Sequence, residues 1–261
     1  MLEYKIDNLL TIGKAHHLHC EDDLFIREED DYILAAVFDG CSSGIDSHYA
    51  STAHKYKLKS ISNNLIYTLR ENENRYHPYK NTDEALKEIA FDLCCRIHSM
   101  EYECNKEMLS TAVLLLINKI TKEYSILFCG DGCCCINDEF HSVHDSEGNS
   151  VWYLSTVKPI EFLEYYNTYC TKFNGIIEEN MTLCISSDGI ESFMTSYGSS
   201  NVSLPIDVFF KTDNIEEKYR SWNLQRLYNV LTKGKMNGMN NEGLTNIDDL
   251  SIIKIKIKNG D

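Results

Sequence analysis

The chain has 261 residues, of which 43% are hydrophobic, enough for the core of one large domain or two small ones. Its 40 acidic residues against 25 basic ones give a net charge of −15, which argues against nucleic-acid and anionic-membrane partners, since both require a basic face. The composition therefore predicts a globular protein, in which a phosphate-bearing substrate needs cations to bridge it to the protein.

The cysteines, the N-terminus and the prolines bear on compartment and domain number. The eleven cysteines include Cys94-Cys95 and the run 133–135, which lie in apolar stretches and are typical of buried thiols in a reducing cytosol. The first residues form no apolar signal region, and no stretch approaches the roughly 18 apolar residues of a membrane span. Only three prolines occur and no linker divides the chain. We therefore expect a cytoplasmic protein with one domain over 1–261.

Apolar periodicity predicts strands and helices in a definite order. Antiparallel strands interrupted by paired helices favour an α+β sandwich over a strand-helix alternation. In chain order the predictions are a short strand from Leu24, a strand over 31–38, a helix capped by Asp46 and reaching Arg70, a helix from Thr82 to about 106, a hairpin of 110–118 and 123–129 continued as a meander by 133–136, weaker strands at 151–155 and 168–173, a strand over 181–186, helical patterns at 205–211 and 216–233, and a last strand over Leu250 to Ile257.

Carboxylates stand at the rims of several predicted strands. Asp39-Gly40 and Asp188-Gly189 each end an apolar run, Asp131-Gly132 follows another, and Asp248 lies just before the last strand. A single Asp-Gly pair is usually a turn. Repetition at strand ends instead indicates a metal site, because a carboxylate beside a buried strand must be hydrogen-bonded, paired or ligated. Such hard oxygen ligands select Mg²⁺ or Mn²⁺ over zinc.

Residues near the first carboxylates offer two alternative sites, a zinc site and a cysteine nucleophile. His16, His17, His19 and Cys20 precede the acidic cluster that begins at Glu21, and imidazole and thiolate are zinc ligands, but their spacing fits no standard zinc pattern. Cys41 beside Asp39 is a candidate nucleophile, although no Arg-containing phosphate loop follows it. Both alternatives are weaker than the carboxylate site.

Taken together, the motifs resemble those of the metal-dependent protein phosphatases, the protein phosphatase 2C family. Each motif is weak alone, but six in the right order are specific, and the flanking residues are closer to bacterial and phage branches than to the animal enzymes. The match runs from about residue 11 to 257. It rests on Cys20-Glu21-Asp22, Val37-Phe38-Asp39-Gly40, Ser110-Thr111-Ala112, Cys129-Gly130-Asp131-Gly132, Ser187-Asp188-Gly189-Ile190 and Asp248-Asp249-Leu250-Ser251-Ile252.

The resemblance implies a fold and a ligand set. The fold is a central antiparallel β-sandwich flanked by helix pairs, in four αββα layers, with two Mg²⁺ or Mn²⁺ ions in a cleft at one sheet end. Asp39 would bridge both ions, and Asp188 and Asp248 would complete the first site. The remaining assignments are the Gly40 carbonyl and, through water, Glu21 at the second ion, Asp131 at a weaker third metal, and Asp22 as a partner behind the ligands.

The resemblance also implies a reaction. Two ions sharing one water lower its pKa and direct the hydroxide at phosphorus, so Asp39 and Asp188 act through metal-bound water and no phosphoenzyme is expected. The expected activity is hydrolysis of phosphoserine and phosphothreonine in a phosphoprotein, opposing a serine/threonine kinase in signalling. A haloacid-dehalogenase-like site is disfavoured, because no second Asp stands two positions after Asp39.

Two departures from the animal pattern concern substrate binding. His17 aligns with the family's phosphate-binding Arg, and Cys41 aligns with its proposed general-acid His. His17 is therefore a candidate phosphate contact, with an ordinary surface histidine as the alternative. The variable flap, where substrate choice would lie, corresponds to 191–246. The departures leave open a pseudophosphatase that binds phosphoproteins as a regulatory module, and a third reading is a metal phosphohydrolase of small molecules.

Overall fold

The computed structural model describes residues 2–42, 44, 47–71, 81–100, 105–144, 153–200, 202–211, 223–233 and 243–260, with the backbone alone described for 64–71, 105 and 106. The strands are β1 Leu2–Thr11, β2 Asp22–Glu28, β3 Tyr32–Gly40, β4 Ser110–Asn118, β5 Glu123–Cys129, β6 Gly132–Ile136, β7 Glu139–Val143, β8 Thr171–Ile176, β9 Thr182–Ser186, β10 Phe193–Met194, β11 Thr245–Asn246 and β12 Leu250–Asn259. The helices are α1 Ser47–Glu71, α2 Thr82–His98, α3 Phe162–Thr168, α4 Ser203–Phe210 and α5 Leu224–Lys233. Short 3₁₀ helices cover Asn105–Met108, Leu154–Thr156, Pro159–Glu161 and Asp188–Glu191.

Two five-stranded antiparallel sheets form the centre of the fold. One has the order β1-β12-β9-β6-β7 and the other the order β2-β3-β4-β5-β8, while β10 and β11 make a separate two-stranded ribbon. Residues on both faces of β3 are buried, which explains its uninterrupted apolar sequence. Ile33, Ala35 and Val37 face the opposite sheet, and the residues between them face the helices.

Helices cover the outer face of each sheet. Alternate residues of β3 and β4 form one apolar cluster with α1, α2 and α3. On the other sheet, residues of β6, β9 and β12 form a cluster with α4 and α5. A third cluster lies between the sheets. The layers are therefore helix, sheet, sheet, helix, which confirms the predicted α+β sandwich. Along the part of the chain described, no helix is long and apolar enough to cross a membrane.

Several local predictions are corrected by the structure. The strand at 133–136 does not continue a meander: β6 pairs with β7 and β9 in the opposite sheet, because the chain turns at Gly130 and Gly132, both with positive φ. The described part of 151–155 contains a 3₁₀ helix instead of a strand, and the helix from Thr82 ends at His98. Strand β1 was not predicted, although apolar residues alternate with polar ones along its first half. Asp46, the predicted cap of α1, lies outside the described residues.

Candidate metal centre

The end of β3 places Asp39 beside a second carboxylate. Asp22 opens β2 and is the direct cross-strand partner of Asp39. The next residue, Gly40, is buried, and a Cβ there would lie 2.3 Å from the carbonyl oxygen of Ser47 at the start of α1. Glycine is therefore required for the end of β3 to approach the first turn of α1 this closely.

Asp39 lies among carboxylates from distant parts of the chain. Burial raises the pKa of Asp39 well above its usual range, and the negative charges of Asp22, Asp188 and Asp248 raise it further. Burial also raises the pKa of Asp248, with Asp188 contributing in the same direction. Three of the predicted ligand carboxylates thus come together, from β3, from the end of β9 and from the segment before β12.

Tight backbone contact fixes the position of Asp188. It opens the 3₁₀ helix that follows β9, and a Cβ on Gly189 would lie only 1.7 Å from the carbonyl oxygen of Asp249. Gly189 therefore allows the turn after Asp188 to contact the segment that carries Asp248. The Gly in this Asp-Gly pair serves close packing, at a φ that any residue can adopt.

A carboxylate that the sequence reasoning did not assign, Asp249, joins two ends of the site. Its Oδ1 accepts a hydrogen bond from the Gly13 amide at 2.6 Å, and its Oδ2 accepts one from the Glu21 amide. The Nδ1 of His16 lies 2.9 Å from the same Oδ2, and the Asp249 side chain is 1% exposed. We call this arrangement the Asp249 clamp. Its signal in the sequence was the paired Asp248-Asp249, of which only the first was interpreted.

The clamp holds Glu21 close to the other carboxylates. His16 is 3.8 Å from a carboxylate oxygen of Glu21 and 3.8 Å from one of Asp248, so it lies between the two acidic side chains. The pKa of His16 is raised overall: burial lowers it, but hydrogen bonding to Asp249 and the surrounding negative charges outweigh that effect. A charged imidazole there offsets part of the carboxylate repulsion.

Asp22 lies behind Asp39 and is held by serines. One oxygen of Asp22 accepts a hydrogen bond from the Ser187 hydroxyl at 2.6 Å, and Asp22 is 4% exposed. Burial raises the pKa of this carboxyl, and the hydroxyls of Ser187 and Ser251 act in the opposite direction. Asp22 therefore supports Asp39 from within the fold.

Buried carboxylate oxygens without a hydrogen-bond partner indicate whether these residues fit a divalent cation. Among the described residues, Glu21 Oε2 and Asp22 Oδ1 are buried without a hydrogen-bond partner. No three His, Cys, Asp or Glu side chains in that part of the chain are arranged as a ready-made ligand set. The available donors are nevertheless hard carboxylate oxygens whose mutual repulsion a cation relieves, so the residues fit Mg²⁺ or Mn²⁺ by chemistry.

Asp131 and a tyrosine that was not predicted complete this end of the fold. Burial raises the pKa of Tyr153, as do a hydrogen bond with Cys41 and the charges of Asp131 and Asp39. Tyr153 therefore brings a phenolic hydroxyl near three residues that the sequence analysis discussed. No motif marked it, because its neighbours in space come from other strands.

The structure does not bring together the predicted phosphate contact and the residues of the zinc alternative, as it does the carboxylates. His17 is exposed on the loop between β1 and β2. His19 stacks on His48 with ring centroids 4.2 Å apart, which places one of the region's histidines against the start of α1. His16, His17, His19 and Cys20 are therefore not gathered around one point. Among the described residues, no cluster of three or more His, Cys, Asp or Glu side chains could hold zinc.

Comparison with solved structures shows a shared fold. RsbX in complex with magnesium is 15% identical, with a TM-score of 0.53 over 99% of this chain and 100% of RsbX. The S. agalactiae serine/threonine phosphatase is 12% identical, with a TM-score of 0.59 over 97% and 99% of the two chains. PppA, a regulatory component of T6SS in Pseudomonas aeruginosa, is 14% identical, with a TM-score of 0.57 over 97% of each chain. At these identities the likeness shows the fold alone.

Sequence comparison supplies the family. No curated protein matches this sequence significantly. The family model described as protein phosphatase 2C matches residues 13–217, well over half of the chain. That range begins at Gly13, which donates a hydrogen bond in the Asp249 clamp, and it contains β3 with Asp39 and the turn with Asp188. From this match and the four-layer fold, the chain belongs to the protein phosphatase 2C family.

Proposed function

We propose that this protein is a Mg²⁺- or Mn²⁺-dependent phosphatase that hydrolyses phosphoserine and phosphothreonine in a protein substrate. The observation that carries the proposal is the meeting of Asp39, Asp188 and Asp248: the charges of Asp188 and Asp248 raise the pKa of Asp39, and the charge of Asp188 raises that of Asp248. Carboxylates in such a cluster repel one another unless cations lie between them. The family is metal-dependent, and the RsbX relative is a magnesium complex.

The residues take separate roles in this proposal. Asp39 would bridge two ions, with Asp188 and Asp248 on the first. The Gly40 carbonyl, and Glu21 through water, would serve the second. Asp131 would hold a weaker third ion. We treat 1–261 as one phosphatase domain.

The ions, when bound, supply an activated water for attack on phosphorus and neutralise the phosphate charge. The protein's own residues orient the ligands. The Asp249 clamp fixes the backbone of Glu21, and the Ser187 hydroxyl holds Asp22 against the strand that carries Asp39. Such supporting contacts keep ligand oxygens aimed at one point.

Substrate recognition would use surfaces outside the carboxylate cluster. Because the net charge is −15, the protein surface offers little general attraction for a phosphoprotein. The region 191–246 contains β10, α4, α5 and β11 and is the proposed flap that contacts the protein around the phosphorylated residue. Its partner reaction would be phosphorylation of the same substrate by a serine/threonine kinase.

The test is phosphate release from a phosphothreonine peptide and from p-nitrophenyl phosphate, each with Mn²⁺, with Mg²⁺ and with EDTA. Release with either metal and none with EDTA is expected. No release from either substrate with either metal would contradict the proposal.

A second candidate is a pseudophosphatase that binds phosphoproteins without turnover. It is favoured by the exposed position of His17, which gives no fixed phosphate contact, and by the presence of Cys41 after Gly40. Calorimetric titration distinguishes the two functions. Tight binding of two ions together with peptide binding and no turnover would support the binding module.

A further inference from the structure

A second polar cluster lies at the edge of the proposed site. Ser142 of β7, His144 just after it and Glu191 at the end of the 3₁₀ helix Asp188–Glu191 meet there. The Nε2 of His144 is 2.7 Å from the Ser142 hydroxyl oxygen and 3.0 Å from Glu191 Oε2, and the Ser142 hydroxyl is 3.1 Å from the same Oε2. We call these three residues the rim triad.

Strand pairing places the rim triad beside the candidate metal ligands. Gly132 of β6 pairs with Val143 of β7, so Asp131 and His144 flank the same end of this strand pair. Glu191 stands one helical turn after Asp188. Burial raises the pKa of the Cys133 thiol, and the charges of Glu191 and Asp188 raise it further, which puts both carboxylates near one buried atom. The triad thus borders the space between Asp131 and Asp188.

The hydrogen bonds define how His144 is held. The Ser142 hydroxyl donates to Glu191, so the Ser142 oxygen accepts from the Nε2–H of His144. The ring then directs its other nitrogen, Nδ1, away from these two partners. The His144 side chain is 59% exposed, whereas that of Glu191 is 23% exposed, so the carboxylate lies behind the ring and the ring faces the open side.

The chemistry of the proposed reaction requires a group of this kind. Cleavage of a phosphoserine or phosphothreonine ester leaves an alkoxide, which is a poor leaving group unless it is protonated as the bond breaks. Carboxylates that hold a cation are ionised, so they accept protons and cannot supply one. Histidine is the side chain whose proton exchange suits neutral pH.

We propose that His144 is the proton donor to the departing serine or threonine oxygen, and that Glu191 and Ser142 are its positioning residues. This inference rests on the proposed phosphatase function. As water oxygen bonds to phosphorus and one of the water protons passes to solvent, the bond from phosphorus to the ester oxygen breaks, and its electron pair stays on that oxygen. The oxygen takes the Nδ1 proton of His144, and solvent returns a proton to the ring.

The experiment compares two leaving groups in His144→Gln, with His141→Gln as the matched control. His141 lies in the same strand, and its ring lies 4.7 Å from that of Phe173. For the phosphothreonine peptide, whose leaving group needs a proton, kcat is expected to fall about 100-fold or more in His144→Gln. For p-nitrophenyl phosphate, whose leaving group does not, it is expected to stay within about 3-fold. His141→Gln is expected to match the wild type on both substrates.

Other outcomes bear on separate claims. Equal losses on both substrates, or no loss on the peptide, would overturn the proton-donor role of His144. An inactive wild type on both substrates contradicts the phosphatase function itself. Thermal melting of each variant checks folding, and Glu191→Ala, which removes the contacts to His144 and Ser142, is expected to show the same selective loss to a smaller degree. Unchanged peptide turnover in Glu191→Ala would overturn its positioning role.

Discussion

Asp39 ends a buried strand with Asp22 beside it and Asp188 and Asp248 close by. Its folded-state pKa is raised, so its contribution to stability is present below the unfolded value and is lost as pH rises through the folded value. At neutral pH and without metal, where Asp39 is ionised in the unfolded chain, the raised pKa of the folded form therefore lowers the stability of the fold.

The variant Asp39→Asn tests whether the Asp39 carboxyl lowers the stability of the metal-free fold. In EDTA at neutral pH we expect the variant to melt at a higher temperature than the wild type, at about 2–4 °C per kcal/mol gained. We also expect its phosphatase activity to fall about 100-fold or more, because a neutral amide holds cations poorly. Scanning calorimetry and phosphate release measure the two effects, with the exposed Asp30→Asn as control. A lower melting temperature in EDTA would argue against the repulsion.

His54 gives a pH dependence with the opposite sign. It is buried in α1 below the ring of Phe38, its Nδ1 lies 2.5 Å from the Ala50 carbonyl oxygen, and burial lowers its pKa to about 4. The unfolded chain binds a proton near the normal value of about 6.5, so stability falls as pH drops from about 6.5 to about 4. The size of this loss is about 3 kcal/mol.

The corresponding variant is His54→Leu, which cannot take up the proton. Urea unfolding at several pH values should show a smaller loss of free energy between pH 6.5 and 4 for the variant than for the wild type. Parallel curves for the two proteins would refute the assignment. The absolute stability at neutral pH is a separate quantity and does not enter the comparison.

At the scale of elements, contact between the turn after β9 and the segment before β12 holds the site together. A Cβ on Gly189 would lie 1.7 Å from the Asp249 carbonyl oxygen, so Gly189→Ala must push these segments apart. We expect a loss of about 3 kcal/mol or more in stability, measured by urea unfolding, and loss of activity.

Gly198→Ala is the matched control for this substitution. Nothing lies within 4 Å of a Cβ there, but its φ of +75° is left-handed, so the cost is backbone strain of about 1 kcal/mol with activity retained. Equal losses for the two variants would show that the close contact at Gly189 is unimportant.

The elements also show what sequence patterns could and could not predict. Strands β4 and β5 coincide with their predicted bounds, because both faces are buried and the apolar run is continuous. The partner sheet of β6 was not predictable from its neighbours along the chain, since the change of sheet depends on backbone geometry at Gly132. The meeting of Asp39 and Asp188 was predicted from the family motifs. Tyr153 and the rim triad were not, because only tertiary contacts define them.

For the whole molecule, the proposed metal site predicts that stability depends on divalent ions. The chain carries a net charge of −15, and its carboxylate cluster concentrates part of that charge in one place. A ligand that binds the folded form alone adds about 2.7 kcal/mol at 100 times its dissociation constant. At this chain length that corresponds to a rise of about 5–10 °C in melting temperature.

The measurement is a melting curve with Mg²⁺ or Mn²⁺ against NaCl at equal ionic strength. The divalent ions should raise the melting temperature well beyond the effect of NaCl, which only screens charge. Asp39→Asn should show a much smaller divalent effect. Equal shifts with NaCl and Mg²⁺ in the wild type would count against a specific ion site.

The Asp249 clamp has a consequence for the order in which a newly made chain becomes competent. Its partners Gly13 and Asp249 are 236 positions apart, so a ribosome must add nearly all of the residues between them before the contact can form. Contacts of such long range close late, after local strands and helices have assembled. We expect a nascent chain halted before Asp248 to have much of its β2–β5 sheet and yet neither the cation affinity nor the chemistry of the finished protein. The proposed activity would therefore be absent until the last strand docks.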